Sequence, residues 1–247
     1  MSPRNEVTLE GRQLTKYFGG SPALREVSFR VERGEILGLI GPNGAGKTTL
    51  LNVISGILRP SSGRVLFGER DVTGLRPHAI TRLGVARVLQ TPRSFSSMTV
   101  LENVMVGALF GRGDRPPPAA AADQADAVLT LLGLSAKRDQ PVTSLTLHEK
   151  KMVELARALA TRPDVLLIDE TMAGLNPAEI EESMRLIRKV RDRLGVAIIW
   201  VEHVMKAIMG VAERVLVLNY GQVIAVGSPA EVARDGAVVE AYLGHAG

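Results

Sequence analysis

Apolar and polar positions along this chain follow more than one period, and the changes of period mark its elements. Residues 7–14 and 27–31 alternate around a turn at Gly19 and Gly20, the pattern of half-buried strands. That spacing predicts a small antiparallel start. Residues 35–40 are then almost continuously apolar, as in a parallel strand buried on both faces. Residues 48–58 follow with Leu50, Leu51, Val53, Ile54, Ile57 and Leu58 at helical spacing, so the first unit reads as strand, glycine-rich loop and helix. Residues 165–168, 196–201 and 214–218 repeat the buried-strand pattern, separated by helical stretches such as residues 177–194. Tyr220 and Gly221 then turn the chain into residues 222–226, a terminal hairpin. This order predicts an α/β fold with a mainly parallel sheet and an antiparallel β portion at its N-terminal end.

Between these halves, over residues 91–162, strand signals vanish and helical ones dominate. The pattern predicts a single domain, residues 1–247, in which residues 1–90 and 163–247 form the core and residues 91–162 an inserted helical subdomain. Within the insert, residues 111–118 are punctuated by glycine and proline and read as a surface connection; the alanine-rich residues 119–132 read as helix.

Composition narrows the setting. A chain of 247 residues can bury one substantial core. Thirty basic against 26 acidic residues give a net charge of +4 spread without a polybasic block, which fits a solvated mixed surface. Aromatic residues are too few to interleave with those charges as in nucleic-acid binders, so no nucleic-acid partner is expected. The absence of cysteine excludes disulfides and thiolate metal sites and suits a reducing compartment. The first fifteen residues are polar and mixed, unlike a signal peptide, and no apolar run approaches the ~20 residues that span a bilayer. Any membrane role must come through a partner.

The candidate chemistry begins with Gly41, Pro42, Asn43, Gly44, Ala45, Gly46, Lys47 and Thr48, which match G-x-x-x-x-G-K-[ST] in full, with Thr49 next in the helix. The glycines let backbone N–H groups wrap a phosphate, the helix start adds partial positive charge, and Lys47 reaches the terminal phosphates. Thr48 supplies a hydroxyl to Mg²⁺. A second site is predicted where Asp169 and Glu170 emerge together after four apolar residues. Asp169 can serve the Mg²⁺ shell, while Glu170 accepts a proton from the attacking water or polarises it. Together these motifs predict a P-loop NTPase core that binds ATP with Mg²⁺ and hydrolyses it.

In the order of its elements the chain resembles the ATPase subunit of ABC transporters along nearly its whole length. The resemblance implies that Phe18 stacks on adenine, with Tyr17 the adjacent alternative. It implies that Gln90 reports on Mg²⁺ and the attacking water beside a membrane subunit, that His203 contacts the γ-phosphate, and that Ala173-Gly-Leu-Asn176 crosses a dimer interface. One motif departs: the family's Leu-Ser-Gly-Gly-Gln signature stands here as Leu145-Thr-Leu-His-Glu149, without either glycine. In the family this segment completes the opposite subunit's nucleotide site, where Leu147 and His148 would obstruct backbone approach. Thr146, the candidate nucleotide contact, and Glu149 nevertheless keep the spacing of a capping box ahead of an amphipathic helix over residues 150–160. Two readings stay open, a weakened contact and an altered one. Thr171 in place of the usual proline and Asn176 in place of aspartate are milder departures.

Several stretches resemble the subgroup that serves uptake of branched-chain amino acids and related small amides. They are Phe18-Gly-Gly20, Gly84-Val-Ala-Arg-Val-Leu-Gln90, Met98-Thr-Val-Leu-Glu-Asn-Val104, Ala173-Gly-Leu-Asn-Pro177 and Ala241-Tyr-Leu-Gly244. The last leaves no room for the regulatory domain of sugar importers. The resemblance implies a second ATPase subunit, a different chain being favoured by the altered signature. It also implies two transmembrane permease subunits, a periplasmic or extracellular solute-binding protein, and a peripheral place on the cytoplasmic face of the plasma or inner membrane. The alternatives are an ATPase of another ABC system, such as lipid or lipopolysaccharide export, and a soluble ABC protein of DNA repair or translation.

Overall fold

The computed structural model describes residues 7–243; residues 1–6 of the polar start and Gly244 of the closing stretch lie outside the described residues. Two long strands, β1 (Val7–Phe18) and β2 (Ser21–Glu32), turn at Gly19 and Gly20, both with positive φ. They run further than the alternation predicted because irregularities between Gly11 and Lys16 shift the register and break the period of two. Next come β3 (Ile36–Ile40) and α1 (Lys47–Ile54), then β4 (Ser62–Phe67), β5 (Arg70–Asp71), α2 (Pro77–Leu83) and β6 (Val85–Val88). Helices α3 (Val100–Phe110), α4 (Pro118–Leu132) and α5 (Leu147–Leu159) follow. The second half alternates β7 (Val165–Asp169), α6 (Pro177–Leu194), β8 (Ala197–Val201), α7 (Met205–Val211) and β9 (Arg214–Asn219). It closes with β10 (Gln222–Gly227), α8 (Pro229–Val232) and α9 (Gly236–Leu243).

The strands form two sheets. One is antiparallel, in the order β2-β1-β4-β5; the other runs β10-β9-β3-β8-β7-β6 and is parallel except for the β9–β10 hairpin. In the parallel sheet successive residues point to opposite faces and each face has its own core. Leu37, Leu39, Leu167, Ile199 and Val201 join the core shared with β1, β2 and α1. Ile36, Ile40, Ile168, Ile198 and Trp200 join the core shared with α3, α5 and α6. Burial on both sides is why these strands read as unbroken apolar runs.

The helix predicted over residues 48–58 is shorter. It ends at Ile54, where Ser55 Oγ turns back onto the Leu51 carbonyl at 2.7 Å, and Ile57 lies exposed in the following turn. Residues 91–162 hold α3, α4 and α5 and, among the described residues, no strand beyond a single bridge between Thr99 and Pro141. Strands β4, β5 and β6 and helices α2, α7, α8 and α9 had no counterpart in the predicted elements.

Candidate functional site

Strand order decides which residues meet. Gly41 follows β3, His203 comes two residues after β8, Glu170 directly follows β7, and Gln90 comes two after β6. These strands are neighbours in the order β3-β8-β7-β6, so the four leave the sheet along one edge, at the carboxyl ends where ligands of open α/β sheets bind. The pairings Val88↔Ile168 and Asp169↔Val201 set the heights, so that Glu170 stands between Gln90 and His203.

The glycines of the phosphate loop answer to close packing. A Cβ on Gly41 would lie 2.1 Å from the Leu218 carbonyl oxygen, and one on Gly46 would lie 2.6 Å from that of Ala23 while its backbone holds φ at +103°. Ala45, buried between them, accepts at its carbonyl from the Gly221 N–H at 3.0 Å; the Gly221 carbonyl in turn accepts from the Arg25 N–H at 2.7 Å. A chain of backbone bonds therefore joins the phosphate loop, the β9–β10 turn and β2.

Gly46 is the N-cap of α1 and has no side chain to cap it, which leaves the first-turn N–H groups of the helix open at a positive dipole end. Asn43, Gly44 and Thr48 are exposed there; Pro42 and Thr49 are partly buried. Lys47 is buried, and its ammonium donates to the carbonyls of Gly41 at 2.8 Å and Pro42 at 3.1 Å. Burial lowers its pKa, against the opposing pull of Glu170 and Asp169. A cation folded onto its own loop beside uncapped amides fits a polyphosphate.

Glu170 accepts from Gln90 Nε2 at 2.6 Å through one oxygen, and its other oxygen lies 2.7 Å from His203 Nε2. Its backbone is left-handed, with φ +48°, an unfavourable state for a residue bearing a Cβ. Asp169 is held differently. Its Oδ2 meets Arg87 Nη2 at 2.6 Å, and Arg87 Nη1 also donates to Asn52 Oδ1 at 2.6 Å and Ser55 Oγ at 3.1 Å. Sequence reasoning gave Arg87 no role of its own; the available signal was a lone charge inside the otherwise apolar Val85–Val88. Among the described residues no group of three or more His, Cys, Asp or Glu forms a self-sufficient metal cage. The Thr48 hydroxyl and Asp169 instead fit a Mg²⁺ that takes its other ligands from phosphates and water.

The remaining predicted residues lie around this centre. Phe18 and Tyr17 are both about half exposed at the end of β1, and Lys16 Nζ sits 5.4 Å from the Phe18 ring centroid. The turn they flank leads into Ala23 and Leu24, which touch Gly46. Asn176 caps α6, its Oδ1 accepting from the N–H groups of Ala178 and Glu179 at 3.0 Å each, so asparagine keeps the cap aspartate would give. Thr146 caps α5: its hydroxyl accepts from Glu149 N–H at 3.3 Å, while Glu149 accepts from Thr146 N–H at 2.8 Å and pairs with Lys137. The two residues replacing the signature glycines part company. Leu147 is 48% exposed at the helix start, whereas His148 folds back towards α6, its Nε2 3.6 Å from Glu182.

Comparison with known proteins places these motifs in company. A family profile described as ABC transporter matches residues 24–173, and one described as branched-chain amino acid ATP-binding cassette transporter matches residues 222–247. The chain is 37% identical over 241 residues to the high-affinity branched-chain amino acid transport ATP-binding protein LivG of Salmonella typhimurium, covering 93% of this chain and 94% of that one. It is 36% identical over 238 residues to the lipopolysaccharide export system ATP-binding protein LptB of Acidithiobacillus ferridurans, covering 96% of each. Among solved structures, the ADP conformation of MJ1267, an ATP-binding cassette of an ABC transporter, superposes with a TM-score of 0.88 at 32% identity, covering 97% of this chain and 99% of that one. The dimeric structure of MJ0796, a bacterial ABC transporter cassette, does so at 0.79 and 25% identity, covering 90% of this chain and 98% of that one.

Proposed function

The chain belongs to the ABC transporter family, as an ATP-binding subunit that hydrolyses ATP, and from that premise we propose that it energises the import of branched-chain amino acids or related small amides. The observation that carries the cargo class is the match of residues 222–247 to the branched-chain amino acid cassette profile, in the part of the chain beyond the shared ATPase motifs. LivG-like relatives over nearly the full length support the same reading.

The proposed division of labour follows the geometry. The uncapped start of α1 and the amides of residues 41–49 bind the phosphates, and Lys47 leaves its own carbonyls for the outer phosphate oxygens. Thr48, Asp169 and Gln90 would hold Mg²⁺, which when bound would supply positive charge against the phosphates. Arg87 holds Asp169 at the required height. Glu170 takes a proton from the attacking water, while Gln90 and His203 fix its two oxygens. Phe18 stacks on the base. Thr146, at the start of α5, faces the nucleotide of a second ATPase subunit. Because Leu147 stands exposed at that start, the reading favours a partner chain with a different signature over a second copy of this one.

No described helix is long and apolar enough to cross a membrane. In the proposed complex the chain sits on the cytoplasmic face of the membrane against two permease subunits, fed from the other side by a solute-binding protein. The test is to purify the native complex through this chain and reconstitute it in lipid nanodiscs. Import predicts two permeases, a second ATPase, and ATPase activity raised by a solute-binding protein loaded with leucine or a similar amino acid. Recovery of lipopolysaccharide-export membrane subunits would transfer the chain to the export branch that LptB represents.

A further inference from the structure

Glu202 directly follows β8, one residue before His203, and only 2% of it is exposed. An ionisable side chain in such a place is costly unless its partners repay the lost water. Its partners belong to the segment that follows the acidic pair. Oε1 of Glu202 accepts from the Met172 N–H at 2.9 Å and from the Thr171 hydroxyl at 3.3 Å. Burial raises the pKa of Glu202; interactions with the Met172 N–H, Trp200 and Thr171 pull it back, while the charge of Glu170 pushes it further up.

A second buried ion completes the arrangement. Lys151, 4% exposed on α5, donates its ammonium to the Ala173 carbonyl and feels the charges of Glu202 and Glu179. The turn after β7 is thus tied residue by residue. Glu170 N–H bonds the Val201 carbonyl at 2.9 Å, Thr171 and Met172 bond Glu202, Ala173 bonds Lys151, and Leu175 N–H bonds the Met172 carbonyl at 3.1 Å. Glu170 opens this turn in the left-handed region, a conformation that a glutamate leaves unless its neighbours hold it.

We infer that Glu202 is a positioning residue for hydrolysis: by clamping Met172 and Thr171 it holds Glu170 in its left-handed conformation, with the carboxylate between Gln90 and His203. The inference rests on the proposed role of Glu170 as the group that activates water. Glu202 acts through the backbone, so its loss falls on turnover. The groups proposed to bind nucleotide, the phosphate loop and Phe18, lie on other segments, and that loop is tied to the β9–β10 turn rather than to Glu202.

The assembled complex tests this, with kcat measured at saturating ATP and nucleotide affinity measured separately with a fluorescent ATP analogue. Glu202→Leu removes the acceptor and strands the Met172 N–H; leaving a buried donor unmade corresponds to roughly a 5- to 150-fold loss, read here in kcat. Kd should stay within about threefold. Glu202→Gln keeps an acceptor oxygen and should retain kcat within about threefold, since the Met172 bond survives and only the charge of Glu202 is lost. A purely packing role predicts no such split or rescue, so full kcat in Glu202→Leu, or an equal loss in Glu202→Gln, overturns the inference. Should Glu202→Leu fail to assemble, Thr171→Val carries the test: kcat about two- to tenfold lower at unchanged Kd supports the clamp, and unchanged kcat overturns it. Glu170→Gln in the same series separates the two ideas. If it keeps full turnover, the proposed function of Glu170 falls; if it is inactive while Glu202→Leu is active, only the clamp falls.

Discussion

The starts of α1 and α5 are built to opposite plans. At α1 the cap is Gly46, which offers no side chain, and the helix leaves its first amides open beside Lys47. At α5 the cap is Thr146, whose hydroxyl is spent on Glu149 N–H while Glu149 is spent on Thr146 N–H and Lys137. Both helices begin with a positive dipole end, but only α1 leaves it unsatisfied by its own side chains. A sequence can therefore keep a helix start while engaging part of it with its own side chains. The departure at residues 145–149 preserves α5 itself, and what changes is the outer wall, where Leu147 projects and His148 does not.

Each end of this contrast can be broken separately. The largest effect is expected beside α1, where binding and hydrolysis use different groups: Glu170→Gln should leave ATP binding intact and cut turnover by about 10²–10⁴. Equilibrium binding and phosphate release on the same sample check this, and a parallel loss of both would merge the two functions. Next, Leu147→Gly should reopen the outer wall of α5 and raise turnover of the assembled complex by about two- to tenfold, the worth of one recovered hydrogen bond. His148→Gly should give no such gain, because that side chain already lies against α6; equal gains would show that the projecting leucine is not the obstruction. The smallest effect is Thr146→Ala, which removes half of the capping box and should cost about 1 kcal/mol, a melting shift of about 2–4 °C in a chain of this size. Nucleotide affinity of the chain's own phosphate loop should not move with it.

Legibility in the sequence followed the range of the forces involved. The parallel strands β3, β7, β8 and β9 could be read because burial on both faces demands unbroken apolar runs, whereas β6, short and interrupted by Arg87, could not; residues 177–194 matched α6 because Asn176, Pro177 and Gly195 mark its two ends. The phosphate loop was readable because its geometry requires glycine, lysine and threonine at fixed intervals within one segment. Strands β4 and β5 escaped since they are short: β4 is stabilised by pairing with β1, a partner far away in sequence, and the two exposed residues of β5 pair with β4. Arg87 and Glu202 escaped for the same reason. Their partners lie 82 and 30 residues away, and a charge in an apolar run signals only that some partner exists. Helix α1 was overrun because Ile57 and Leu58 continued the helical spacing, while the Ser55 bond that stops it is invisible to periodicity.

The backbone relay from Ala45 through Gly221 to Arg25 bears on how lesions in this chain would be interpreted. A random-mutagenesis screen would score damage at the β9–β10 turn as failure to hold nucleotide, although Gly221 lies in no phosphate-binding motif. Genetic maps of such a subunit will therefore draw its nucleotide pocket larger than the set of atoms that meet the nucleotide.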